Sequence, residues 1–332
     1  MTTPIVLVAT WQDGLFVVGG QTIDHELHGE SVKALAPDGH GGTLAIVNSH
    51  ALGRRAPDGL WRTIATTDMD LSCCLAVGGD IYAGTDDARV LRLSAGALAK
   101  AGVDAEAQFE QLRGFDEVPG RETWYAGSAV INGQRVGPPL GIRSMTATAD
   151  GTVLLANVHV GGIPRSTDGG VTWHPTIDVD SDVHEVRAHP TRPAVVMAAA
   201  AVGLCISRDG GRTWTTEQSG LHASYCSAIA FAGDDVFVSA STDHFAVEGA
   251  MYRRRVDDDG PLVAVAGGLP TWTHGIVDTR CIATGGPAAA LADRAGNLYV
   301  STDVGRGWSR RAEGLPSPSS VLVQDLPGRR QT

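Results

Sequence analysis

Three histidines carry the sharpest chemical suggestion in this chain. His159, His184 and His244 fall at corresponding ends of successive strand repeats. Neutral imidazole suits zinc, copper, iron or nickel, so the trio reads as a site for a divalent transition metal that would polarise a carbonyl or activate water. Asp180, Asp182 or Asp243 could orient the rings from behind. In a metal-free version His159 or His184 is the general base, and Tyr225 is a further catalytic candidate on the same face. Arg143 and Arg280 are suited to gripping a carboxylate through two parallel hydrogen bonds. His50, Trp124, Tyr125 and Asp243 are the other residues expected to bind substrate. No local motif, such as paired histidines one helical turn apart, supports the metal. The competing reading of each histidine is a solvated loop residue or a ring bonded to a backbone carbonyl. Their collective placement is what speaks for chemistry.

Placement depends on strands. Short apolar runs begin near Val32, Ser72, Arg143, His184, Cys226 and Arg280, and each is followed by a second run, at 43–47, 81–83, 152–156, 194–198, 236–240 and 288–291. Glycine-bearing turns separate them, a pattern of repeated antiparallel strands. Asn48-Ser49-His50 and Asn157-Val158-His159 both end the second strand of their repeats. The strongest repeat is Ser166-Thr167-Asp168-Gly169-Gly170-Val171-Thr172-Trp173. It recurs 41 residues later as Ser207-Arg208-Asp209-Gly210-Gly211-Arg212-Thr213-Trp214, and a worn copy is Ser301-Thr302-Asp303-Val304-Gly305-Arg306-Gly307-Trp308. Glycines supply positive φ, the Asp carboxylate accepts from the turn's own amides, and Trp wedges its apolar body between units.

This motif resembles the Asp-box, or BNR, repeat. The resemblance implies an all-β, seven-bladed β-propeller in which the boxes are structural turns, so Asp168, Trp173, Asp209, Trp214, Asp303 and Trp308 are scaffold rather than site. The Ser207 to Ser301 interval of 94 residues makes two blades of about 47, and 332/7 gives the same length. Six blades remain the alternative count. Strands at 4–10 and 15–19 lack an inner partner, and the run at 320–324 is an orphan. Joined, they make one blade shared by both ends of the chain, closing the ring and removing its open edges. The expectation is one domain over 1–332, with residues 114–141 as an inserted loop or flap. A shorter insertion covers 241–249. In a propeller the innermost strands line a channel, and the box turns lie on one face. Eight of the eleven histidines then fall on the opposite face: His25, His28, His50, His159, His184, His222, His244 and His274.

Composition narrows the partners. A formal charge of −11 and a pI near 5.4 argue against nucleic acid or an anionic membrane, both of which need basic patches. No run of 18 apolar residues occurs, and no basic-then-apolar leader opens the chain. Five cysteines without metal-knuckle spacing read as reduced thiols of a cytoplasmic protein, with Cys73 and Cys74 on alternate faces of a strand. A monomer acting on a small polar molecule is the expectation, as a hydrolase or lyase. Two alternatives stand beside it. The resemblance includes sialidases, a glycoside hydrolase type that binds a carboxylate with three arginines. Arg143 and Arg280 could be two, with Arg54, Arg121 or Arg135 as the third, but Ile163-Pro164-Arg165 reverses the order that sialidases carry and no Tyr-Glu pair is assignable beyond Tyr225 and Glu248. The other alternative is a non-catalytic interaction or assembly platform.

Overall fold

Strands this short cannot bury a core alone, and they pair here into seven antiparallel sheets arranged as the blades of a ring. The computed structural model describes residues 4–102, 105–125, 129–131, 134–136 and 140–324. From the channel outward, blade one is Val32–Pro37, Thr43–Val47, Ala51–Arg55 and Trp61–Thr66. Blade two is Leu71–Val77, Asp80–Thr85, Val90–Leu93 and Glu110–Gln111, with a short helix, Ala95–Ala101, before its outer strand. Blade three has Ile142–Ala147, Leu154–Val158 and Arg165–Ser166, and a single bridge from Arg165 to His174 stands in for its fourth strand. Blade four runs Val183–Ala188, Val196–Ala200, Gly203–Ser207 and Thr215–Glu217; blade five runs Tyr225–Ala232, Asp235–Ser241, Glu248–Arg255 and Val263–Ala264. Blade six is Ile282–Gly285, Ala288–Ala292, Leu298–Ser301 and Ser309–Ala312.

The closing blade is built from both ends of the chain. Its inner strand, Pro318–Gln324, pairs with Ile5–Thr10, followed outward by Leu15–Gly19 and Thr22–Glu26. Val6 lies opposite Val323, and Val8 opposite Val321. Apolar clusters fill the seams between blades. Cys73 and Cys74 face different seams, as alternation requires, and burial pushes the Cys73 thiol up to about 11.

The three Ser-x-Asp turns share one geometry. Asp168 Oδ1 accepts from Thr172 N at 2.9 Å and Oδ2 from Thr172 Oγ1 at 2.6 Å. Ser166 Oγ accepts from Gly170 N at 2.9 Å, and Gly170, at φ 90°, holds a conformation that disfavours any side chain. The turn at Asp209 repeats these bonds; at Asp303 the amide bonds recur, with Gly307 N replacing threonine N, and the hydroxyl bond to Oδ2 is lost with the threonine. Trp173 and Trp308 donate from Nε1 to the carbonyls of Gly170 and Gly305, while Trp214 reaches Thr176 Oγ1 in the neighbouring blade.

One irregularity recurs where the inner strands begin. In every blade but the sixth the inner strand slips register against its neighbour there, and five of these slips leave one unpaired extra residue: Lys33, Ser72, Arg143, His184 and, in the closing blade, Ser319. In blade five the slip spans Ser227 and Ala228. Such bulges re-aim a side chain, and here most of them staple one blade to the next. Ser319 Oγ donates to Val32 O, Lys33 Nζ to Leu71 O at 3.3 Å, Ser72 Oγ to Ile142 O at 2.6 Å and Ser227 Oγ to Val277 O at 2.7 Å. Blade three is the exception. The carbonyl of Val183 is taken by Asn157 Nδ2 at 2.7 Å, so the guanidinium of Arg143 is not the staple.

The long insertion contains two 3-10 turns, Arg113–Phe115 and Arg121–Thr123, and a hairpin, Ala129–Ile131 with Gln134–Val136. Two of the three aromatics in its first half pack inward, and only Tyr125 stays exposed. Phe115 is fully buried, edge-on to Trp173 with centroids 5.1 Å apart, and Trp124 packs beside it at 5.8 Å. The Arg121 guanidinium lies 4.9 Å over the Trp124 ring. The connection must cross from an outer strand back to the channel, and these rings seal the seam between blades two and three on the way. Trp124 is therefore a core residue, not the ligand contact expected from the sequence. The side chain of Arg135 lies outside the described residues.

Candidate functional site

His184 occupies the bulge of blade four, and His159 follows strand Leu154–Val158 of blade three. The left-handed backbone at Val160 places the chain's reversal just beyond His159, and His159 N donates to Gly141 O at 2.9 Å. Both rings are buried, with centroids 6.2 Å apart. Between them stands Asp182, the left-handed residue that ends the 3-10 turn Val179–Ser181 directly before blade four's inner strand. Its Oδ1 lies 3.4 Å from His159 Nε2 and 3.7 Å from His184 Nε2.

The tautomer of His184 follows from its other nitrogen. Nδ1 sits 2.6 Å from Cys226 O; a carbonyl only accepts, so Nδ1 carries a proton, and in the neutral ring Nε2 is the nitrogen that keeps the lone pair. Burial, with Arg143 second, pushes the His159 pKa well below the usual histidine range, so this ring is neutral. Burial opposes ionisation of Asp182, but His184, His159 and Arg143 outweigh it and hold its carboxyl below the ordinary range. The Asp182 carboxylate thus faces both imidazoles, and burial keeps that of His159 neutral. His184 Nε2 and Asp182 Oδ1 are both buried without a hydrogen-bond partner among the described residues. Burying such atoms unpaired is costly, and a cation between them removes the cost. Metal bonds of about 2.0–2.2 Å would put tetrahedral neighbours about 3.3–3.6 Å apart, close to the separations of 3.4 and 3.7 Å found here. The three ligand atoms all lie within 4.8 Å of one another. Three such donors could hold a metal, and a fourth position would then be left for water or substrate.

The surroundings add donors and charge. The Tyr225 ring packs 4.4 Å from His184, and burial raises its pKa, so the phenol keeps its proton and can donate. Arg143 reaches Thr279 Oγ1 at 3.4 Å and approaches Asp278 at 3.8 Å. Asp278 also pairs with Arg294 at 3.3 Å. Burial raises the Asp278 pKa, but Arg143 and the Thr279 amide lead the effects that hold it below the usual range. Arg143 lines a cavity of about 240 Å³ at the channel mouth with Lys33, Ser72 and Arg280. A second cavity of about 400 Å³, lined by His244 and Arg294, adjoins it, and Trp11, Asp278 and Pro318 border both.

Several residues expected at the site lie elsewhere. His244 is outside the cluster; Asp182 stands as its third member, and His244 lines the adjoining cavity instead. His50 is exposed on the rim, 3.3 Å from Met69 O and 3.6 Å from Asp70. It resembles His159 in sequence, yet Asn48 and Ser49 both take positive φ. The chain therefore reverses before His50 and turns it outward. Asp243 is exposed and serves its own turn, accepting from Phe245 N at 2.7 Å. Tyr125 stays exposed, its amide on Val160 O. Arg280 does not share a ligand with Arg143: its Nη1 donates to the carbonyls of Ser72 and Arg143, each at 2.9 Å, and spans the channel as a strut. Arg54 pairs with Asp38 and Arg121 lies over aromatic rings. Of the arginines expected to grip a carboxylate, Arg143 and Arg280 line one cavity, while Arg54 and Arg121 do not line it. Residues that the sequence did not mark are Arg294 and Thr279, which sit in connections without a periodic signal.

No helix of the described residues is long and apolar enough to cross a membrane. No protein-family model and no curated protein matches the chain. Among solved structures it is similar to two proteins provisionally named 6-phosphogluconolactonases. The one from Bacteroides fragilis NCTC 9343 has 14% identity and TM-score 0.63, with 98% of each chain covered. The one from Bacteroides uniformis ATCC 8492 has 14% identity and TM-score 0.65, with 97% of this chain and 100% of that one covered. A GH74 enzyme of Niastella koreensis follows at 12% identity and TM-score 0.58, with 91% of this chain against 46% of that one. At such identities the likeness is one of fold.

Proposed function

We propose that this propeller is a small-molecule enzyme of the hydrolase or lyase class, with a divalent transition metal held by His159, Asp182 and His184. The observation that carries the reading is one buried, unpartnered carboxylate oxygen 3.4 and 3.7 Å from two imidazole nitrogens. At this position a metal would polarise a substrate carbonyl or activate water. The chain's own groups fill the remaining roles. The Cys226 carbonyl fixes the His184 tautomer from behind. Arg143, relieved of the staple role by Asn157, receives an anionic group of the substrate. Tyr225, kept protonated, donates to a developing negative charge. Asp278 and Arg294 hold the far wall of the cleft, and inclusion of His184 in an inner strand keeps the site rigid.

The test is turnover of a panel of carboxylate-bearing esters and lactones by the full chain, with and without added zinc or manganese. Expected is metal-dependent turnover abolished by His184→Ala, with Arg143→Gln raising KM for the anionic members and sparing neutral ones. Turnover that ignores metal, or survives His184→Ala, contradicts the reading.

A further inference from the structure

The four well-exposed aromatic side chains among the described residues, Trp11, Tyr125, Phe245 and Trp272, all lie on the cleft face. Each belongs to a connection opposite the Ser-x-Asp turns. Two of them, Trp11 at 41% and Phe245 at 64% exposure, line one cavity. They come from different parts of the ring. Trp11 follows strand Ile5–Thr10 of the closing blade, and Phe245 lies between two strands of blade five, so blade six separates their origins.

Neither ring hangs on a loose loop. Trp11 N donates to Ser317 O at 3.2 Å, and the turn is closed by Thr10 N on Gly14 O at 3.0 Å. Phe245 N donates to Asp243 Oδ1, Ser241 Oγ donates to Asp243 O at 3.0 Å, and Arg294 Nη1 holds His244 O at 2.8 Å. The His244 ring stands edge-on against Phe245, centroids 5.2 Å apart. Leaving large apolar rings in water forgoes the gain of burying them, and fixing them there beforehand reduces what a ligand must order on arrival. The same cavity borders Asp278, whose partner Arg143 lines the adjoining one. A charged subsite and a fixed apolar subsite therefore share one cleft.

We propose that the substrate is an amphipathic anion: a carboxylate-bearing molecule whose planar apolar group lies against Trp11 and Phe245 while its charge meets Arg143. This rests on reading the cleft as the substrate site, and it adds the substrate class. Trp11 and Phe245 act as specificity residues, and they do so without the metal.

The experiment measures binding of 3-phenylpropionate and of propionate to the full chain by calorimetry, once in chelator and once with zinc. Expected is a preference for the phenyl probe of about tenfold or more, the same in both buffers. Trp11→Ala and Phe245→Ala should each bring the two probes near parity by weakening only the phenyl one. Phe245 is exposed enough that its truncation spares the fold, which circular dichroism verifies. Arg143→Gln should weaken both probes by the same factor. The preference persisting in a protein that takes up no zinc supports this inference and removes only the metal. Equal affinity of the two probes for the wild type overturns it. So does a preference that survives both aromatic truncations, or no binding of the phenyl probe up to about 10 mM.

Discussion

Glu185 gives the most quantitative handle on the scaffold beneath the site. It is fully buried at the channel wall, next in sequence to His184. Its Oε2 accepts from the amides of Ile229 and Arg280, each at 3.1 Å, and its Oε1 from Arg187 Nε at 2.8 Å. One carboxylate thus ties blade four to the inner strand of blade five and to the entry of blade six. Glu185→Ala strands the buried Ile229 amide and the partly buried Arg280 amide, at about 1–3 kcal/mol each. Arg187 is partly exposed and turns to water, so its share is small. The expected loss is about 2–6 kcal/mol. With unfolding entropy near 2.1 cal/mol/K per residue over the whole chain, that lowers Tm by roughly 3–9 °C. Glu185→Gln keeps a carbonyl oxygen for the amides and should cost less than half as much. The assay is calorimetry at one fixed scan rate for all three proteins, since a chain this long can unfold irreversibly. A Tm within about 1 °C of wild type for Glu185→Ala, or a glutamine variant as damaged as the alanine one, refutes the argument.

The turns make two further predictions. Asp168→Ala should cost about 1–2 kcal/mol through lost turn bonds while leaving zinc uptake at one equivalent; a stable variant that loses zinc would mean the turns belong to the site face. Burial raises the pKa values of Asp168 and Asp209, but bonds from their turn threonines and serines outweigh it and hold both at about 2, below the unfolded value near 3.9. The stability they supply is complete above about pH 4 and is lost as pH falls toward 2. The Tm gap between wild type and Asp168→Asn should therefore close over that interval; a gap unchanged at pH 2 contradicts the assignment. Ending the chain at Ser317 removes the inner strand Pro318–Gln324 and bares Ile5–Thr10 as an edge, so the product should aggregate by light scattering. An unchanged monomer would show that closure does not need this strand.

The architecture was legible because it rests on patterns that repeat. Inner strands expected to begin near Val32, Ser72, Arg143, His184 and Cys226 begin within one residue of those positions. The shared closing blade followed from an orphan run at each end. The site was legible in part. His159, His184 and Tyr225 could be placed because each sits beside a strand end in the repeat. Asp182 was expected only as one of three carboxylates behind the rings, since its place between them depends on a left-handed turn that leaves no periodic trace. The bulges were invisible for the same reason: one unpaired residue shifts the register without changing the apolar pattern. His50 shows the converse. Its tripeptide matches that of His159, but two positive-φ residues before it reverse its direction. Trp124 misled because an aromatic in a long insertion suits a lid and a seam plug equally well, and only the neighbouring Phe115 and Trp173 decide between them.

The measurement that bears most directly on the central claim is metal stoichiometry. The full chain, stripped with chelator and dialysed against zinc, is assayed by elemental analysis beside Asp182→Ala, His184→Ala and His244→Ala. The account predicts one zinc per chain for wild type and His244→Ala, and none for the Asp182 and His184 variants, all four remaining folded by circular dichroism. Zinc absent from the wild type, or retained without Asp182 and lost without His244, would contradict it.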